Sequence, residues 1–83
     1  MKVLVSPVSI DEAASILDAG IDIVDVKNTA EGSLGAQFPW LTERIVALAR
    51  ARGIATSASL GDLAFQPGTA SLAAYGAAAL GVD

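Results

Sequence analysis

The sequence contains no cysteine and no histidine, and its 83 residues include only four aromatic side chains. Without these residues the chain can form neither disulfide bonds nor the Cys/His zinc sites that stabilise many small domains. The absence of cysteine is compatible with a reducing compartment, and residues 1–7 lack the apolar run and cleavage site of a signal peptide. We therefore expect a cytoplasmic location.

Positive charge is also scarce, because five basic residues face nine acidic ones and the net charge is −4. The basic residues are spread along the chain, so they form no patch for nucleic acid or an anionic membrane surface. The longest nearly apolar stretch, residues 70–80, is much shorter than the roughly 20 residues of a membrane-spanning helix. We expect neither a nucleic acid nor a membrane as partner.

Apolar residues, in contrast, are abundant, at 53% of the chain. A domain this small buries only about 60% of the surface that its unfolded chain exposes. Part of the apolar surface should therefore be buried against another protein surface. We expect that surface to come from a second copy of the chain in a homo-oligomer or from the missing C-terminal part of a longer protein.

Alternating strand and helix patterns run along the chain. Ser9 and Glu12 have the spacing of a capping box, which starts a helix, and Gly20 suits the left-handed conformation at its end. Pro39 is well placed as the first residue of another helix. The predicted strands are residues 3–5, 21–27 and 54–60, and the predicted helices are residues 10–20, 39–52 and about 69–80.

A short motif marks each change from helix to strand. It recurs at intervals near thirty residues, as Gly20-Ile21-Asp22, Gly53-Ile54-Ala55 and Gly81-Val82-Asp83. This repeat predicts three βα units and an α/β fold with a parallel sheet, either open and doubly wound or part of a (β/α) barrel. Because a closed barrel needs eight units, we expect residues 1–83 to be one incomplete domain, the N-terminal fragment of a barrel.

Parallel βα folds bind ligands at the carboxyl ends of their strands, where Ser6, Asp25, Lys27 and Ser59 fall. Burial favours the neutral form of a lysine amine, and the neutral amine of Lys27 would attack carbonyl groups. Asp25 would favour the ammonium form, but it could also transfer protons. The alternative for both residues is a structural ion pair at the rim of the sheet.

Two glycine-containing loops follow the second and third strands, and both are candidates for substrate binding. Their backbone amides could bind a phosphate group, in the second case at a helix N-terminus. The alternative is that the glycines only serve the geometry of the turns. The candidate positions are Ser33, Gly35, Asp62, Gly68 and Thr69.

Three strings carry a resemblance to a known family. They are V-S-P at residues 5–7, D-I-V-D-V-K-N-T-A-E-G-S-L-G-A-Q-F-P-W at residues 22–40, and G-D-L-A-F-Q-P-G-T-A-S-L-A-A-Y-G-A-A at residues 61–78. With them the chain closely resembles the (5-formylfuran-3-yl)methyl phosphate synthases, essentially from end to end. The strings are long and unusual, so the resemblance is more specific than any single motif above.

The resemblance implies a TIM-barrel-like fold and a lyase of methanofuran-type cofactor biosynthesis. Such an enzyme condenses two glyceraldehyde-3-phosphate molecules into 4-(hydroxymethyl)-2-furancarboxaldehyde phosphate. The resemblance also implies that Lys27 of the D-V-K-N string forms the Schiff base, and it implies no metal or organic cofactor. The family's second lysine, a proton acceptor, would lie beyond Asp83.

Three functional hypotheses follow. The first is that the chain is part of such a lyase. Without the general base the catalytic rate would fall by about 10²–10⁴-fold, so we expect the chain to be inactive alone. Alternatively, it is a truncated, non-catalytic protein that associates with itself or with a complementary chain. The third hypothesis is a binding module for a triose phosphate, with Lys27 and the two loops as ligands.

Overall fold

The computed structural model describes residues 2–32, 34–62 and 66–83, which form a three-stranded sheet with helices after each strand. This confirms the predicted α/β fold with repeated βα units. The strands are β1 (Leu4–Val5), β2 (Ile23–Val26) and β3 (Ala55–Ala58), the helices are α1 (Ile10–Leu17), α2 (Pro39–Ala51) and α3 (Pro67–Ala79), and a 3₁₀ turn covers Thr29–Glu31.

The strands lie in the order β1-β2-β3, and both pairings are parallel, as predicted. Leu4 is level with Ile23, and Asp25 is level with Ser57. Residues at one level of a parallel sheet direct their side chains to the same face. This register places the residue that follows β1, Ser6, at the level of Asp25.

One face of the sheet is covered by α1 and α2. Val24 and Val26 point to this face with at most 1% of their surface exposed. They pack against the apolar stripes of the two helices, so this layer is the hydrophobic core. The buried core residues of the cluster are Ala13, Leu17, Val24, Val26, Ile45 and Ala49.

The opposite face of the sheet and most of α3 are exposed. Leu4, level with Ile23, is 53% exposed, and α3 contains no buried residue. Leu72 and Tyr75 on α3 are 77% and 79% exposed. Trp40, at the start of α2, is 66% exposed and stacks on the Phe38 ring.

The helix starts agree with their local chemistry. The Ser9 hydroxyl accepts from the Glu12 amide at 3.1 Å, and the Glu12 carboxylate accepts from the Val8 amide, which forms the expected capping box one residue wider. Helix α3 begins at Pro67, two residues before the expected start. Proline suits a first helical position because its φ is fixed and its missing N–H would have no partner there.

All three strands are shorter than predicted. β2 begins at Ile23, two residues later than predicted, and just before it the Asp22 carboxylate accepts from the Val3 amide at 2.7 Å while the Asp22 amide donates to the Val3 carbonyl oxygen at 3.0 Å. Gly20 and Gly53 close the turns after α1 and α2 with φ values of 83° and 67°, as expected for glycine at a helix end. Within residues 2–32, 34–62 and 66–83, no helix is long and apolar enough to cross a membrane.

Candidate functional site

Asp25 lies on the exposed face of the sheet, near the carboxyl end of the central strand. Its Oδ1 accepts a hydrogen bond from the Ser57 hydroxyl at 2.8 Å, and its Oδ2 accepts one from the Ser6 hydroxyl at 3.2 Å. Ser6, Asp25 and Ser57, one from each of the three neighbouring strands or strand ends, thus form a polar row across the sheet. The Asp25 side chain is 17% exposed, so much of the solvation that it loses is replaced by these hydroxyl groups.

Lys27 follows the last residue of β2, on the same face as Asp25. Its Nζ lies 3.8 Å from Asp25 Oδ2, and its side chain is 25% exposed. The backbone is held as well, because the Gln37 side-chain amide donates to the Lys27 carbonyl oxygen at 3.3 Å. The amine is thus close to a carboxylate, partly shielded, and open enough for a small carbonyl compound to reach it.

The structure brings together three of the candidate residues, namely Ser6, Asp25 and Lys27. Ser57 completes the group, although it was not among the candidates. The sequence contained a clue to Ser57, because it lies two residues before the candidate Ser59 on the predicted third strand. Only the register, which pairs Asp25 with Ser57, identifies the correct serine.

Ser59 occupies a different environment. Its amide donates to the Val26 carbonyl oxygen at 3.0 Å, which extends the ladder by one bond beyond β3. Ser59 also lines a cleft of about 220 Å³ between the sheet, α2 and α3, together with Val26 and Ala58 of the helix-covered face. In the described part of the chain, no hydrogen bond connects Ser59 to Asp25 or Lys27.

Gly35 is buried within the first loop. Its amide donates to the Gly32 carbonyl oxygen, and its carbonyl oxygen accepts from the Asn28 amide at 2.8 Å. A Cβ at this position would collide with the Asn28 carbonyl oxygen and press on the Glu31 side chain. Gly35 therefore closes the loop behind Lys27, and a phosphate contact at this position stays a prediction.

The second loop contacts the first through a hydrogen bond from the Gly61 amide to the Leu34 carbonyl oxygen at 2.9 Å. Asp62 is exposed beside it. Gly68 and Thr69 are exposed in the first turn of α3, and the N-cap residue Gln66 makes no side-chain capping bond. Ser33, the remaining candidate, lies outside the described residues.

The parallel strand–helix units make this chain an α/β protein, and its lysine–carboxylate pair lies at the carboxyl ends of the strands, where open parallel sheets bind their ligands. Comparison with known proteins makes the assignment specific. The chain belongs to the 4-HFC-P synthase family, whose model matches residues 3–83.

Curated relatives agree with this assignment. The chain is 58% identical to the (5-formylfuran-3-yl)methyl phosphate synthase of Archaeoglobus fulgidus, 52% identical to that of Methanosarcina mazei and 49% identical to that of Methanothermobacter thermautotrophicus. Each match covers 100% of this chain and 35% of the relative. The chain thus spans about a third of the length of the relatives it matches.

The closure of the first loop at Gly35 gives a testable prediction. Gly35→Ala should destabilise the chain by about 1–3 kcal/mol, because the added methyl group is forced against backbone that cannot move aside. Chemical denaturation measures the change. Gly76→Ala is the matched control, since a Cβ there meets nothing within 4 Å and should stabilise α3 by about 0.5–1 kcal/mol. Equal effects of the two substitutions would contradict the proposed close approach.

Proposed function

We propose that Lys27 is the Schiff-base nucleophile of a lyase that acts on triose phosphates, and that residues 1–83 form the first βα units of its barrel. The observation that carries the proposal is the position of the Lys27 amine. It lies at the carboxyl edge of the central strand, only 25% exposed, and 3.8 Å from the Asp25 carboxylate. Membership of the 4-HFC-P synthase family supports the same assignment.

The chemistry of this amine defines the first steps. The neutral Nζ attacks the carbonyl carbon of the substrate, and the resulting carbinolamine loses water to give an imine. The imine withdraws electrons from the neighbouring carbon, so a proton there can be removed by a base. Asp25 is the nearest carboxylate in the described part of the chain, and it can exchange protons with the reacting groups.

The complete reaction joins two glyceraldehyde-3-phosphate molecules into 4-(hydroxymethyl)-2-furancarboxaldehyde phosphate, with loss of two water molecules and one phosphate. The names of the relatives, which specify synthesis of a furan phosphate, support this product class. The barrel is completed by chain beyond Asp83, which also supplies the second lysine that accepts the proton. A cytoplasmic location belongs to the same proposal.

The phosphate groups of the substrate need donors, and the first turn of α3 offers them. Gly68 and Thr69 are exposed there, and the first amides of a helix have no acceptor within the helix. We propose that these two amides bind one phosphate, and that Ser33, Gly35, Ser59 and Asp62 line the remainder of the substrate site. Ser6 belongs to it through its bond to Asp25.

Trapping with borohydride tests the role of Lys27. The chain is incubated with glyceraldehyde-3-phosphate or dihydroxyacetone phosphate, reduced, digested and analysed by mass spectrometry. We expect a single adduct at Lys27, the proposed nucleophile. Borohydride reduces the imine to a stable secondary amine, which survives digestion. The chain contains only one other lysine, Lys2, so Lys2→Arg is the control and should keep the adduct, whereas Lys27→Arg should lose it.

The outcomes separate the hypotheses. An adduct on Lys2 or on the terminal amine that is as abundant as the one on Lys27 would refute a special nucleophile. No adduct in a sample that circular dichroism shows to be folded would mean that this part of the barrel cannot form the site alone. A triose phosphate that binds without any adduct would favour a binding module.

A second candidate, a non-catalytic chain that self-associates or pairs with a complementary chain, is favoured by the exposed face of the sheet. No helix covers this face in the described part of the chain, and it carries Leu4, which is 53% exposed. Among the described residues no strand pairs with the outer edge of β1, whereas on β3 the Thr56 amide donates to the Asp83 carboxylate at 3.0 Å. An edge without a partner strand pairs readily with other chains. A second copy would cover the apolar part of this face.

Sedimentation over a range of concentrations tests this candidate. If it holds, the mean mass should rise with concentration, and Leu4→Asp should reduce the association constant by about tenfold or more, because a carboxylate must lose its water in the interface. Leu72→Asp, on the exposed side of α3, is the matched control and should have little effect. A monomer at every concentration would contradict the candidate.

A further inference from the structure

The Asp25 and Lys27 side chains form an ion pair that is longer than a direct hydrogen bond. A charge-assisted N–H···O hydrogen bond measures about 2.7–2.9 Å, whereas Lys27 Nζ and Asp25 Oδ2 are 3.8 Å apart. Meanwhile each oxygen of the carboxylate accepts a shorter bond from a serine hydroxyl. The carboxylate is therefore held by its neighbours in the sheet and not by the lysine.

We infer that Ser6 and Ser57 form a hydroxyl clamp, which holds the Asp25 carboxylate away from the Lys27 amine and so preserves the reactivity of that amine. Ser57 is the stronger member, at 2.8 Å against 3.2 Å for Ser6. Both act through Asp25 and are positioning residues. The inference rests on the proposed function, because it concerns the nucleophile named there.

The physical reason lies in what a direct bond would do. An N–H···O⁻ bond to Asp25 fixes a proton on the lysine nitrogen and withholds the lone pair that attacks a carbonyl carbon. A carboxylate at 3.8 Å still offers its charge to a cationic intermediate, since Coulomb energy falls only as the inverse of distance. A separation of 3.8 Å thus keeps the attraction between the carboxylate and a cationic intermediate, and it avoids the direct hydrogen bond that would hold a proton on the lysine nitrogen.

The sheet keeps the clamp in place. Ser57 is level with Asp25 in the parallel register, and the residues on the other side of β2, Val24 and Val26, are locked in the core at 0% and 1% exposure. The strand cannot slip by one residue without moving these valines out of the core. The hydroxyl groups therefore reach the carboxylate from fixed positions on both neighbouring strands.

The test uses a reagent that is not the proposed substrate. Formaldehyde condenses with a lysine amine, with loss of water, to give an iminium ion, and cyanoborohydride delivers hydride to its carbon to leave an N-methyl group. The rate at Lys27 is divided by the rate at the exposed Lys2 of the same molecule, measured by peptide mass spectrometry. This ratio cancels differences in reagent concentration and in the amount of protein.

Two substitutions of nearly equal shape isolate the hydroxyl group. In Ser57→Val the carboxylate can turn onto the amine, and we expect the Lys27 to Lys2 ratio to fall about tenfold, the scale on which small displacements alter reactivity. In Ser57→Thr the hydroxyl remains, and the ratio should stay within about twofold of the parent. Ser6→Ala should lower it less than Ser57→Val. An unchanged or higher ratio in Ser57→Val, or an equal fall in Ser57→Thr, would overturn the inference.

An Asp25→Asn background shows whether the hydroxyl acts through the carboxylate. In that background Ser57→Val should no longer change the ratio, because position 25 then carries a neutral amide and no carboxylate can turn onto the Lys27 amine. A persistent tenfold fall would instead assign the effect to packing and overturn the inference. The result is separable from the proposed function, since failure of a triose phosphate to form an adduct leaves the formaldehyde ratio measurable and informative.

Discussion

The parallel register of the three strands is the constraint on which the site depends. It sets Ser6, Asp25 and Ser57 at one level, so that two hydroxyl groups meet the carboxylate between them. Hydrogen bonds to a charged group are stronger than those between neutral groups, by roughly a factor of two. The polar row therefore helps to hold the three strands together, and it fixes the position of the Asp25 carboxylate next to Lys27.

The two faces of the sheet divide stability and chemistry. The core of valines, alanines and leucine under α1 and α2 provides most of the burial, and it fixes β2 from behind. The other face carries Leu4, the polar row and Lys27, and no helix of the described residues covers it. The chain spans 35% of the length of its relatives. None of the residues of α3 is buried.

The general plan was accessible from the sequence because each signal was local. The Ser9 capping box and the glycines that end α1 and α2 act over a few residues, and both appear in the structure. Lys27 and Asp25 could be assigned to a strand end by the same local argument.

What the sequence could not reveal depends on contacts between distant residues. Ser57 was missed and Ser59 chosen, because only the pairing of β2 with β3 decides which serine is level with Asp25. Helix α3 begins at Pro67, two residues before the expected start, and proline is favoured at the first helical position.

The most direct test of the account is a crystal structure of the borohydride-trapped complex with a triose phosphate, determined on the longest protein that contains this chain. The account predicts a covalent bond from the substrate carbon to Lys27 Nζ, with both oxygens of Asp25 still bonded to Ser6 and Ser57. A substrate attached to another amine, or an Asp25 carboxylate turned away from both serines, would contradict it.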